Sequence, residues 1–251
     1  MSDSRAVLVT GGSRGIGRAI AHAFAAAGDR VAVHWGASRQ RAEAVRAELP
    51  GDGHVLVQAD LADAEAVGRM VDEAATALGG LDVLVNNAGV FTAHPPLSVS
   101  YEEWQAAWSR TLAVNLLGAA NATFRAVPHL VAAGGGAVVN VSSRGAFRGE
   151  PDTPAYGASK AGLNAFGQSM AIALAPHGIS VGTVAPGFVQ TEMAREVLDG
   201  PGGDAVRAQS PYGRVARPEE VASAVLWLAS PEARFSTGTI VDVNGASYLR
   251  S

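Results

Sequence analysis

Cysteine is absent from the 251 residues, so disulfides and thiolate chemistry are excluded, which fits a reducing compartment. Aromatic residues make up 6 % and charged residues 17 % of the chain, against 30 glycines and a large share of alanine. That balance suits helices packed closely on a sheet and rules out a disordered or coiled-coil chain. Lys and Arg never cluster and the net charge is −4, leaving no electrostatic footprint for nucleic acid. No apolar run reaches the roughly 18 residues a membrane span needs. The six histidines lack ligand spacing, so no metal is expected. A strand-like run begins almost at once, and no signal peptide is expected. The expected setting is cytoplasmic.

What is present alternates. Short apolar runs at Ala6–Thr10, Val31–Trp35, Val55–Ala59, Leu81–Val85, Ala137–Val141, Ser180–Ala185 and Thr239–Val243 read as strands buried on both faces. Helical periodicity fills the intervals: Arg18–Ala27, Ser38–Leu49, Ala62–Leu78, a long stretch Tyr101–Leu130, a helix carrying Tyr156, and Pro218–Ala229. Alternation of this kind predicts an α/β fold, a Rossmann-like doubly wound parallel sheet of seven strands flanked by helices. The whole chain, 1–251, reads as a single domain. The irregular Gly/Pro-rich stretch at about 187–216 reads as a substrate lid or, alternatively, a loose loop.

Ligands in such sheets lie beyond the C-terminal strand ends, and the unusual residues gather there. The first strand runs into Gly11-Gly12-Ser13-Arg14-Gly15-Ile16-Gly17 and then a helix. Gly11 permits the tight turn, Gly15 lets a pyrophosphate approach N–H groups at the helix N-terminus, and Gly17 permits close helix–strand packing. Asp60-Leu61, Asn86-Asn87-Ala88-Gly89, Ser142-Ser143 and Pro186-Gly187 close later strands. Tyr156 and Lys160 stand one helical turn apart on one face. A phenol titrates near pH ~10 in water. A neighbouring ammonium is expected to lower that value and fit Tyr156 for acid–base work on a carbonyl/alcohol pair.

Together, Thr10-Gly11-x-x-x-Gly15-Ile16-Gly17, Asn86-Asn87-Ala88-Gly89, Tyr156-x-x-x-Lys160 and Pro186-Gly187 resemble the short-chain dehydrogenase/reductase family in order and spacing, over essentially the whole chain. The resemblance implies a nicotinamide cofactor and hydride transfer at a carbonyl carbon, with a small-molecule ketone or secondary alcohol as substrate. It makes Tyr156 the acid/base and Lys160 the residue that holds the nicotinamide ribose. Ser143 becomes the hydrogen-bond donor to the substrate oxygen, and Asn115 the residue that holds a relay water. Asp60, beside Leu61, is implied at the adenine amino group and Asn87, Ala88 and Gly89 along the adenosine. Val189 and Thr191, following Pro186-Gly187, are implied at the carboxamide. The alternatives within the class are a 3-oxoacyl carrier-protein reductase and a sugar or polyol dehydrogenase. Outside it stands a non-catalytic dinucleotide-binding sensor.

NADP(H) is expected in preference to NAD(H). NAD-binding members usually end the second strand with Asp, where this chain has Trp35 followed by Gly36. Arg14 in the glycine turn, Ser38 at the next helix start and Arg39 are candidates to receive a 2′-phosphate. The family's pairing of its two central helices implies a homotetramer, with a dimer next. Two departures stand out: Gly182 where Asn is common, and Asn244-Gly245-Ala246 where Asp-Gly-Gly is. Arg144 and Arg148 follow Ser143, and they either recognise an anionic group or are solvated loop charges or an intramolecular pair with Glu150.

Overall fold

The computed structural model describes residues 4–250. Seven strands form one wholly parallel sheet in the order β3-β2-β1-β4-β5-β6-β7. They are β1 (Ala6–Val9), β2 (Arg30–Trp35), β3 (Val55–Gln58), β4 (Val83–Asn86), β5 (Gly136–Val141), β6 (Ile179–Pro186) and β7 (Ile240–Val243). Strand positions match the expected runs within two residues at either end. The chain works outward from β1 to β3, returns to pair β4 with β1, then continues outward the other way. The reversal between β1 and β4 opens a crevice at their C-terminal ends, where dinucleotides bind in such sheets.

Alternate residues of each strand serve opposite layers. Ala6 and Leu8 of β1 face one core with Val138 and Val181, closed by α3 (Ala64–Leu78), α5 (Ala119–Ala132) and α6 (Pro154–Leu174). Val7 and Val9 face the other, closed by α1 (Gly15–Ala26), α2 (Arg39–Glu48) and α9 (Pro218–Leu228). Phe24 of α1 is wholly buried in this second layer. Truncating a side chain of that kind to alanine costs about 3–5 kcal/mol.

Two helical expectations change. The long stretch from Tyr101 is three pieces: α4 (Tyr101–Leu112), a π-helical segment Ala113–Gly118, and α5. The widened turn coincides with Asn115, whose side chain is bonded to the Val90 backbone rather than left on a helix surface. The segment 187–216 is not irregular throughout, because it carries α7 (Glu192–Asp199) and α8 (Gly203–Ala208). Gly202 and Gly203 open α8, and an exposed run of short-chain residues gave periodicity nothing to detect.

Candidate active site

The glycine turn is built by contact. Gly15 holds φ at +52°, open to glycine without strain, and a side chain on Gly17 would collide with the Gly11 carbonyl oxygen. The Thr10 hydroxyl, donating to the Val85 carbonyl at 3.1 Å, accepts N–H bonds from Asn87 (2.9 Å) and Ala88 (3.1 Å). The Asn87 amide donates to the Thr10 carbonyl at 2.8 Å. One threonine thus locks the Asn-Asn-Ala-Gly segment against the turn, and Gly11, Asn87 and Ala88 meet in one wall. Arg14 is exposed at the turn, Ser13 and Ile16 are half-buried, and Thr191 packs its methyl near Gly15.

His34 was not singled out from the sequence. It is buried in β2, with Nδ1 accepting from Gly11 N–H (2.9 Å) and Nε2 donating to the Ala59 carbonyl (3.1 Å). Burial pushes its pKa below the usual imidazole value, so both ring nitrogens stay available for these bonds. The signal was there: a polar residue inside an otherwise apolar strand needs a partner.

Beyond β4 and β5 the four expected catalytic side chains converge. Asn115 is buried, its carbonyl oxygen accepting from Val90 N–H at 2.8 Å and its amide donating to the Val90 carbonyl (3.0 Å) and Ser159 hydroxyl (3.1 Å). A Cβ on Gly89 would lie 3.4 Å from the Asn115 side-chain oxygen and 3.5 Å from Lys160 Nζ. Ser143 sits at the start of a short 3-10 turn, Arg144–Ala146, with its hydroxyl accepting from Gly145 N–H at 3.0 Å. Proline at the first position of α6 fixes the helix entry two residues before Tyr156. The Phe91 ring meets Tyr156 edge-on, centroids 4.9 Å apart.

The expected lowering of the Tyr156 pKa is not what this arrangement produces. Dense packing around the phenol raises it, hydrogen bonding to Ser143 pulls it partly back, and the Glu150 charge adds to the rise. Lys160 supplies no counter-effect here. Its Nζ donates to the Val141 carbonyl at 2.8 Å and lies 5.8 Å from the Tyr156 ring centroid, and burial brings its own pKa down to about 8.

Other expected residues fall less uniformly. Asp60 sits at the rim, but its carboxylate pairs with Arg110 at 2.9 Å, and that hydrogen bond holds its pKa below the usual carboxylate value. Leu61 is buried against Gly118. Trp35 ends β2 half-buried, and Ser38 caps α2 through Arg41 N–H at 3.4 Å. Arg39 is exposed and pairs with Glu43 at 2.8 Å, because the i,i+4 spacing puts that carboxylate within reach. Arg41, unremarked in the sequence, reaches Glu192 at 2.9 Å, and Arg14 approaches the same oxygen at 3.8 Å. Pro186 ends β6, Gly187 packs on Asn244, and Val189 is buried beside Ala216. Arg144 and Arg148 do not pair with Glu150. Both donate to the Gln209 side-chain oxygen, at 2.6 and 3.2 Å, and Arg144 also reaches Ser247 at 2.8 Å.

The two sequence departures are packing features. Leu228 of α9 lies 3.0 Å from where a Gly182 Cβ would stand, so the helix comes closer to β6 than a larger residue allows. Asn244 donates to the Tyr248 carbonyl at 2.9 Å and anchors the chain after β7.

Residues 11–246 match the family model described as Enoyl-(Acyl carrier protein) reductase. The chain belongs to the short-chain dehydrogenase/reductase family. It is 37 % identical over 251 residues to the 3-oxoacyl-[acyl-carrier-protein] reductase of Staphylococcus aureus, covering 99 % of this chain and 100 % of that one. It is also 37 % identical over 250 residues to the D-threitol dehydrogenase of Mycolicibacterium smegmatis, covering 99 % and 94 %. A short chain dehydrogenase from Burkholderia cenocepacia, solved in complex with NADP, superposes with a TM-score of 0.88 at 38 % identity over 97 % of each chain. This short-chain dehydrogenase/reductase is therefore an oxidoreductase enzyme. No helix among the described residues is long and apolar enough to cross a membrane. Nor does any group of three or more His, Cys, Asp or Glu among them gather as a metal site.

Proposed function

We propose that this enzyme interconverts a small ketone and its secondary alcohol with NADP(H) in preference to NAD(H). The observation that carries the reading is the meeting of Ser143, Tyr156, Lys160 and Asn115 beyond the β4 and β5 ends, beside a glycine turn shaped for a pyrophosphate.

The groove fits a dinucleotide. The Gly11–Gly17 turn ends at the α1 N-terminus, where free N–H groups suit an anion. Gly89 leaves open the space in front of Lys160 Nζ and the Asn115 side chain. Gly11, Ser13, Gly15, Ile16, Pro186, Gly187 and Thr191 would hold the pyrophosphate and nicotinamide end, and Asp60, Leu61, Asn87, Ala88 and Gly89 the adenosine. Val189 contributes through its backbone, its side chain being buried. When bound, the cofactor supplies or takes the hydride.

The chain's own residues handle the proton and the developing charge. Ser143 donates to the substrate oxygen as negative charge grows there, an oxyanion-type contribution. Tyr156, kept protonated by its surroundings, gives its phenolic proton to that oxygen in reduction and takes it back in oxidation. Lys160, bonded to the Val141 carbonyl through one N–H, has others free for the ribose and for stabilising a transient phenolate. Asn115, pinned by three hydrogen bonds, holds the π-helical segment in place for a relay water.

Preference for NADP(H) is supported by Arg14 and Arg41 converging on one point and by Trp35 and Gly36 standing where a repelling carboxylate is common. Segment 187–216 acts as the substrate lid, latched to the Ser143 turn where Gln209 receives both Arg144 and Arg148. Exposed Leu117, Phe124 and Ile172, on the π-helical segment, α5 and α6, support a homotetramer. A cytoplasmic enzyme accords with these features. The test is oxidation of NADPH or NADH with a panel of small ketones, including a 3-oxoacyl thioester and a ketose. No turnover with any, alongside tight NADPH binding, would favour the non-catalytic sensor.

A further inference from the structure

Glu150 lies between Ser143 and Tyr156 in sequence and beside both in space. Its carbonyl accepts from Thr153 N–H at 3.1 Å, turning the chain into α6. The side chain folds back over the 3-10 turn that Ser143 begins. A Cβ on Gly145 would stand 2.9 Å from Glu150 Oε1 and 3.4 Å from its carboxyl carbon. From the other side, the Gly145 carbonyl oxygen lies 3.1 Å from where a Gly157 Cβ would be, next to Tyr156. The carboxylate therefore rests against the loop that presents the catalytic serine, and Glu150 is half-buried.

A half-buried carboxylate normally finds donors, and two arginines are close by. Neither is used. Arg144 is taken by Ser247, Gln209 and the face of Phe188 (4.9 Å), and Arg148 by Gln209. Asp152, the other charged group near it, is an acid. Among the described residues the Glu150 carboxylate has no ion pair and no side-chain hydrogen bond. Its acceptors are free to take a donor. Desolvation raises its pKa, the nearby Arg144 and Arg148 charges pull it partly back, and its own charge reaches Tyr156.

We propose that Glu150 is a specificity-determining residue that accepts a hydrogen bond from a second hydroxyl of the substrate, so that the preferred substrates are polyhydroxylated. A partly desolvated acceptor that loses its donor discriminates against the analogue lacking the hydroxyl. The same charge disfavours substrates with a carboxylate near the reacting carbon. This rests on the oxidoreductase reading above and narrows its substrate class.

The experiment compares wild type, Glu150→Gln and Glu150→Ala on three-carbon alcohols: isopropanol, propylene glycol, isopropanolamine and lactate. Wild type is expected to favour propylene glycol over isopropanol in kcat/KM, with lactate poorest. Glu150→Ala should lower kcat/KM for propylene glycol by about tenfold to a hundredfold, chiefly through KM, and leave isopropanol within about threefold. Glu150→Gln should fall between, because the amide oxygen still accepts. Equal losses for glycol and isopropanol, no loss for either, or a wild-type preference for isopropanolamine over the glycol would overturn the proposal. Calorimetric binding of propylene glycol to the NADP-loaded proteins separates the two levels. If no alcohol is turned over, the small ketone and secondary-alcohol reading fails, while weaker glycol binding by Glu150→Ala still supports the contact and equal binding overturns it.

Discussion

Arg41 of α2 and Glu192, the first residue of α7, form an ion pair at 2.9 Å that ties the proposed lid to α2. Arg14 lies 3.8 Å from the same carboxylate oxygen. Glu192 thus occupies the point on which both guanidiniums converge, and under the proposed NADP(H) preference a 2′-phosphate would have to compete with it. We expect Glu192→Gln to tighten NADPH binding severalfold and leave NADH unaffected. Arg41→Ala should reduce the NADPH-to-NADH ratio of kcat/KM by about tenfold, one charge-assisted contact's worth. Fluorescence titration and steady-state kinetics with both cofactors check this, and an unchanged ratio would place the phosphate elsewhere.

Tyr156→Phe removes the proton donor and almost no volume. Turnover should drop by about a hundredfold to ten-thousandfold with NADPH affinity retained. Lys160→Ala should lose both, since one ammonium serves the ribose and the phenolate. A Phe variant retaining most of its turnover would remove Tyr156 from the chemistry.

Lys160 also predicts a pH dependence of stability. Its folded pKa, about 8, lies below its ordinary value of 10.5 because burial disfavours the charge. Below pH 8 the penalty for a buried ammonium is fully present. Between about 8 and 10.5 the unfolded chain binds more protons than the folded one, so this group makes stability rise with pH. Tyr156, raised in the fold, acts in the opposite direction above pH 10. The urea midpoint of wild type should therefore climb from pH 8 to 10 relative to Lys160→Met, and parallel curves would show that the lysine is not desolvated.

Ala246 adopts φ +58°, a left-handed conformation that costs a side-chain-bearing residue about 1–2 kcal/mol. Glycine at that point relieves the strain but adds roughly 0.4–1 kcal/mol of unfolded-state freedom. Ala246→Gly should be net stabilising and raise Tm by about 2–4 °C if the gain is near 1 kcal/mol. Calorimetry that shows a lower Tm would mean that the turn is not strained.

Phe124 and Ile172 are 79 % and 80 % exposed on α5 and α6. Sedimentation at micromolar concentration should give a tetramer for wild type and a smaller species for Phe124→Glu. A monomeric wild type would leave these side chains in water and the assembly reading without support.

The strands were legible because each is a short apolar run that a two-faced sheet requires, and the four proposed catalytic positions stood out because their spacing follows strand ends and one helical turn. Side-chain direction was not legible. Arg39 and Arg41 are adjacent on one helix but for Gln40, and only the fold decides that Arg39 meets Glu43 while Arg41 meets Glu192. The sign of the Tyr156 shift failed for the same reason. Sequence spacing brings an ammonium to the right turn of helix, but it does not reveal that the ammonium is turned to the Val141 carbonyl. Glu150 looked like a partner for the arginines because charge alone was visible, while Gln209, fifty-nine residues on, was the acceptor they found.

Since all seven strands point the same way, the molecule has a working rim and an idle one. The turns at Gly51–Gly53, Gly79 and Gly134 are exposed and lie at the N-terminal ends of β3, β4 and β5, a sheet's length from Ser143 and Tyr156. A single cysteine placed in the turn at Asp52 would be the chain's sole thiol, and immobilisation through it would leave the cleft facing solution.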